Sequence, residues 1–356
     1  MSIILDSDKN TVTLSGTLFQ QDIALGFTIT NINRTEVIFD ARMAQSIPSP
    51  DDYSVNVFIL NSTTVRVIRG GNFGTVVVHY QVMEYTVASG AIVDTGSVSF
   101  SVDTQNITIP TRTQANRYAR VAITSTNSLY LEDNISTYEI TSGSNLQVRG
   151  VAIAGSIIYW QTVYIPDQTV HNVIGLATGT SLNVDITSLG IVKENTFTIQ
   201  SMRENGPGPV SLGIDTDGLK GAFISSDTNL EIYSFSLDSH DFVTQLVYRP
   251  KNIVDRDDNN YTVTPFVVAL INTVIVAESY VNLPCPMGYL APTDETSNNP
   301  QRFAHSSQLT SSTSVTLQRF INGDSTRLIS EAVFLDGNPV DASPLNLIFS
   351  RHRRSI

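Results

Sequence analysis

The sequence predicts an all-β protein of about four tandem small β-sandwich or open-barrel domains. Three observations carry that expectation: short alternating apolar and polar stretches, no helical pattern three turns long, and an internal period of about 80 to 85 residues. Charged residues make up only 15% of the 356, and Ser, Thr and Asn take their place. β-Branched Thr suits a pleated surface and Asn suits tight turns. At 41% apolar, the chain has the material for several cores, and its length exceeds what one core ordinarily serves.

The period emerges when the most regular strands are aligned. Val65, Leu146, Leu230 and Val315 each follow a short polar lead and open a strand, and they lie 81, 84 and 85 positions apart. A turn rich in Gly, Asn, Asp or Ser follows each strand, at 70–74, 150–155, 237–241 and 322–324. Apolar strands begin after these turns, at Val76, Ile157, Phe242 and Leu328, so the four pairs read as hairpins. Gln81, Gln161 and Gln245 fall 16, 15 and 15 residues after their leading apolar residues, which predicts that each pairs backbone at an equivalent strand position.

Shorter alternating strands are expected upstream, at Thr11–Leu14, Gly26–Thr30, Val98–Val102, Ala119–Ile123 and Thr196–Gln200. Boundaries then fall near residues 88, 168 and 254, giving β-domains at 1–88, 89–168, 169–254 and 255–356. The polar run Asp255–Asn260 reads as a solvated interdomain linker rather than a calcium loop, because Asn260 replaces the turn glycine and Phe266 stands where the closing Glu belongs. The fourth domain carries a Pro- and Asn-rich loop at 284–300, and the ends at 1–10 and 336–356 read as irregular arms.

No catalytic, cofactor-binding or metal-binding residues are predicted, and no cofactor is expected. His79, His171, His240, His305 and His352 lack zinc-site spacing. There is no nucleophile elbow and no phosphate-binding glycine loop. Cys285, between two prolines, reads as an inert buried thiol, and Asp215–Gly218 as a turn. Tyr80, Tyr85, Tyr159 and Trp160 sit on return strands, where they fill a core or stack on sugar rings. A net charge of −12 argues against nucleic acid as a partner. The basic run Arg351–Arg354 reads as a solvated end. Residues 1–6 lack the basic and apolar regions of a secretory signal, and no segment is long enough to span a membrane.

From Ser62 to Tyr85 the chain resembles a β-domain of tailed-bacteriophage structural proteins. A Ser/Thr lead precedes a Val-rich strand ending in Arg69, and the return strand reads Val-His-Tyr-Gln-Val-Met-Glu-Tyr over residues 78–85. The likeness covers about 25 residues per domain. It implies a non-enzymatic virion protein of the tail or capsid exterior, assembled in the bacterial host cytoplasm, with itself and other virion proteins as partners. Similar small sandwiches occur among H-type lectins. The alternative is therefore a glycan-binding adhesin or receptor-binding module, with a host-surface glycan as partner.

Overall fold

In the computed structural model, residues 3–43, 54–71, 74–126, 136–152, 154–178, 181–204, 221–233, 239–261, 266–270, 279–282, 305–319 and 326–335 are described. They are all-β, and the helical turns among them are three-residue 3-10 turns such as Ile32–Arg34, Gln114–Asn116 and Lys193–Asn195. The first unit comprises β1 (Ile4–Ser15), β2 (Gln20–Ala24), β3 (Thr35–Met43), β4 (Val55–Asn61), β5 (Thr64–Arg69) and β6 (Thr75–Tyr85). The second comprises β7 (Ile92–Ser99), β8 (Thr104–Thr108), β9 (Arg117–Ser125), β10 (Thr137–Ser142), β11 (Asn145–Arg149) and β12 (Ser156–Tyr164). The third comprises β13 (Thr169–Ala177), β14 (Ser181–Asp185), β15 (Thr196–Glu204), β16 (Ala222–Ser226), β17 (Asn229–Tyr233) and β18 (His240–Tyr248). The fourth comprises β19 (Ile253–Tyr261), β20 (Phe266–Ala269), β21 (Ser279–Asn282), β22 (His305–Ser311), β23 (Ser314–Arg319) and β24 (Thr326–Phe334).

Each unit holds two three-stranded antiparallel sheets of one topology. The first, sixth and third strands form one sheet in the order first-sixth-third, and the second, fifth and fourth form the other in the order second-fifth-fourth. In the first unit, Val12, Leu14, Val37, Val55, Val57, Val65, Val67, Val76, Val78, Tyr80 and Val82 fill the space between the sheets. Strand β6 is buried from Val76 to Tyr85 on both faces, because its sheet is covered on the outside as well.

Val65, Leu146, Leu230 and Val315 all lie on the fifth strand of their units, so the expected equivalence holds. The expected hairpins do not. The fifth strand pairs with the second and fourth, whereas the sixth strand belongs to the other sheet, where its neighbours take both of its edges. The chain between the fifth and sixth strands therefore connects one sheet to the other.

The hairpins join the fourth and fifth strands through two-residue tips at Ser62-Thr63, Gly143-Ser144, Asp227-Thr228 and Ser312-Thr313. In every tip the last residue of the fourth strand accepts a backbone N–H two residues on: Asn61 from Thr63, Ser142 from Ser144, Ser226 from Thr228 and Ser311 from Thr313. The carbonyls of Thr63, Ser144, Thr228 and Thr313 in turn accept N–H bonds from Leu25, Ile109, Ile186 and Leu270, tying each tip to the chain leaving the second strand.

Three further expectations are corrected. Asp255–Asn260 is not a linker but part of β19, so the boundary at 254 falls inside a strand. Within it Asp255 is buried, and Arg256 bonds backbone of the third unit. Residues 4–10 are not an arm but the first half of β1. Gly26–Thr30 is not a strand, because the chain bends there to hand the Gly26 N–H to the Asp8 carboxylate at 2.9 Å and the Thr30 N–H to Glu84 at 2.8 Å.

The crossing glycine Gly70 shows how tightly the units meet. A Cβ there would lie 1.7 Å from the Ser125 carbonyl oxygen of the second unit and 2.4 Å from Ser54 Oγ. Gly70→Ala is expected to lower unfolding stability by about 1–3 kcal/mol, since a backbone oxygen must move. Chemical denaturation checks this, and an unchanged midpoint would refute the tight approach.

Candidate functional site

The polar side chains that sequence reasoning could not place converge on the junctions between units. The third strand of each unit is an edge of its sheet, so half of its backbone groups face outward and invite pairing. At the first junction, Gln161 of β12 reaches the edge strand β3: its Oε1 accepts the Val37 N–H at 3.2 Å, and its Nε2 donates to the Val37 carbonyl. At the second junction, Gln245 of β18 does the same to β9, accepting the Ala119 N–H at 2.8 Å and donating to the Ala119 carbonyl at 2.9 Å. One amide thus stands in for a residue of a missing neighbour strand. The sequence expectation for these two glutamines is met, and the strand they pair belongs to the preceding unit. Ser201 of β15 adds a similar contact, accepting from Tyr138 N–H at 3.0 Å and donating to Tyr138 carbonyl at 3.4 Å on the edge strand β10.

At two other edges a cation takes over. Arg256 of β19 donates to the carbonyls of Lys193, at 2.6 Å, and Thr196. Lys9 of β1 donates to the carbonyl of Ser279 at 2.8 Å. Burial lowers the Lys9 amine to about 7 from its ordinary 10.5.

The unfolded chain therefore holds more protons than the folded one between about pH 7 and 10.5, and stability is expected to rise with pH across that window. The buried hydroxyls of Tyr80 and Tyr138, both pushed up to about 12 by desolvation, lose their protons above it. Urea unfolding at about pH 7 and about pH 9 checks the slope. Lys9→Met should remove it, and an equal slope in that variant would assign it to other groups.

A buried carboxylate binds the first junction from within. Glu36 of β3 has no solvent exposure. It accepts the Tyr85 hydroxyl at 2.6 Å, the Tyr118 hydroxyl at 2.9 Å and Arg120 Nε at 3.0 Å. Tyr118 and Arg120 belong to the second unit, and the Tyr118 ring meets Phe197 of the third edge to face at 5.8 Å. Arg117 is also fully buried, held by Asp94 at 2.8 Å, the Pro110 carbonyl at 2.7 Å and Thr162 Oγ1. Its pKa is lowered to about 10, chiefly by desolvation, so it remains charged at neutral pH. Arg249 grips Asp167 with two nitrogens, at 2.7 and 3.1 Å, and donates to the Leu335 carbonyl at 2.6 Å. That contact ties the third unit to the end of the fourth.

The aromatics weighed as a sugar platform are engaged internally. Tyr80 and Tyr85 are buried. Tyr159 stacks on Phe58 across the first junction, with centroids 5.7 Å apart. Trp160 lies over Gly96, where a Cβ would approach its ring to 2.5 Å. Among the described residues no group of three or more His, Cys, Asp or Glu side chains is placed to hold a metal ion. His79 bonds Thr11 Oγ1 at 2.7 Å and His240 is buried. No helix among them is long and apolar enough to cross a membrane. Cys285, Asp215–Gly218, the 284–300 loop, the 336–356 arm and its basic run lie outside the described residues. A comparison with protein-family models finds no match, and a search of curated proteins finds no relative.

Proposed function

We propose that this chain is a non-enzymatic structural protein of a bacteriophage particle, placed on the tail or capsid exterior and acting by assembly with itself and other virion proteins. The repeated junction carries this reading: Gln161, Gln245, Ser201 and Arg256 are all engaged in clamping backbone of the preceding unit rather than gathered as an acid, base or nucleophile. Burying a charged group such as Glu36 between units is weak as a source of stability but fixes one arrangement, which suits a rigid building block. The phage-like stretch Ser62–Tyr85 supplies the class of particle.

A mass-spectrometric inventory of purified phage particles tests the proposal, together with sedimentation of the intact protein and of a form lacking residues 337–356. The expected results are presence in the particle at defined copy number, and self-association or particle binding that weakens without the arm. An intact chain that is strictly monomeric, does not bind particles and instead binds bacterial surface polysaccharide would replace this reading with a glycan-binding module.

A further inference from the structure

Two contacts recur at the junctions between consecutive units, one at all three and the other at the first two. The first strand of each unit lies against the third strand, or the turn before it, of the unit preceding it: β7 on β3, β13 on β9 and β19 on β15. At the first two junctions the fourth strand also lies on the third or sixth strand of the following unit: β4 on β9, and β10 on β15 and β18.

Both contacts recur between the two units farthest apart in sequence. Strand β22, the fourth strand of the fourth unit, packs on β3 and β6 of the first. Lys9 in the first strand of the first unit bonds the carbonyl of Ser279, the opening residue of β21 in the fourth.

The register makes this last contact specific. Lys9 pairs opposite Gln81, and Arg256 opposite Glu331, each three residues before the residue of the sixth strand that faces the start of the third. Arg256 donates to the carbonyl of Thr196, the opening residue of β15, just as Lys9 does to that of β21. The same position of the first strand thus clamps the same carbonyl of the preceding third strand at both places. One hydrophobic cluster also contains residues of all four units, including Ile38, Tyr118, Phe197 and Val333.

From this the geometry points to a closed ring: the outer face of the first unit is an interface whose partner is the fourth unit of the same chain, docked as each unit docks on its successor. The single chain is then a pseudo-tetramer with four related junctions. Closure leaves no free end of the repeat interface from which copies could add head to tail, so contacts with other copies must use the outward surfaces. Gln81, buried at this fourth junction, has no hydrogen-bond partner for its Nε2 among the described residues, so closure here relies on Lys9 rather than on the glutamine clamp.

Four exposed hairpin-tip residues, Thr63, Ser144, Thr228 and Thr313, mark equivalent corners of the ring. The test uses the full chain with Cys285→Ser and pairs of cysteines at these tips carrying spin labels, read by pulsed electron–electron distance measurement. In a ring, the 63/313 separation matches those of 63/144, 144/228 and 228/313, while 63/228 and 144/313 are longer. A 63/313 separation that is the longest of all would overturn the proposal. So would a 63/313 signal that disappears when labelled chains are diluted with unlabelled ones, since the partner would then be a second copy. Small-angle scattering gives a label-free check: a closed ring of this length has a radius of gyration of about 20 Å, and the larger value and rod-like profile of four units in a row would contradict it.

Discussion

Replacing Glu36 by alanine is expected to lower unfolding stability by about 3–5 kcal/mol, because it leaves the partners of a buried ion pair uncompensated. The carboxylate holds two tyrosine hydroxyls and Arg120 Nε, and it has no exposure to water that could replace it. Removing it takes an acceptor from all three donors and opens a cavity where the first and second units meet. The register puts Tyr118, Phe197 and Tyr280 at the equivalent position of the other units, so Glu36 is the polar exception among aromatics. Glu36→Gln keeps the volume but turns a donor toward a donor, and should cost about 1–3 kcal/mol. Denaturant titration of the two variants gives both numbers. A loss below about 1 kcal/mol for Glu36→Ala would mean that water reaches the junction in solution and the network is not a structural tie.

Strands were legible in this sequence wherever one face of a sheet meets the core and the other meets solvent, as in β5 with its alternation at Val65, Val67 and Arg69. The period of the leading apolar residues marked the fifth strand of every unit, and the spacing of Gln161 and Gln245 marked a backbone-pairing role. The pairing of strands was not legible. A glycine-rich turn between two apolar strands looks the same whether the chain folds back within a sheet or crosses to the facing one, and only the occupied edges of β6 decide between them. Asp255–Asn260 misled for a related reason. A polar strand that sends Arg256 to another unit has the composition of a linker, because the groups that Arg256 contacts lie some 60 residues away in sequence, at Thr196 and Lys193. Glu36, Arg117 and Lys9 carried no local signal at all, since burial of a charge is a property of the assembled fold.

The glutamine clamps allow a graded test in which one residue type at one repeat position has three different outcomes. Gln245 is 1% exposed and satisfies both backbone groups of Ala119. Substituting leucine keeps the volume and strands a buried N–H and a buried carbonyl, at about 1–3 kcal/mol each. A loss of about 3 kcal/mol is therefore expected for Gln245→Leu. Gln161 makes the same pair of bonds to Val37 but is itself only partly buried, so water can take over some of the stranded groups. Gln161→Leu should cost about 1–2 kcal/mol. Gln81 is buried with its Nε2 unpartnered among the described residues, so Gln81→Leu removes a desolvated amide group rather than a bond, and stability should stay level or rise slightly. The order Gln245, Gln161, Gln81 follows from which backbone groups each amide satisfies and whether water can replace it, because the residue removed and the residue introduced are the same in all three. Equal losses at the three sites would mean that side-chain packing, and not the clamping of edge strands, sets the strength of the junctions.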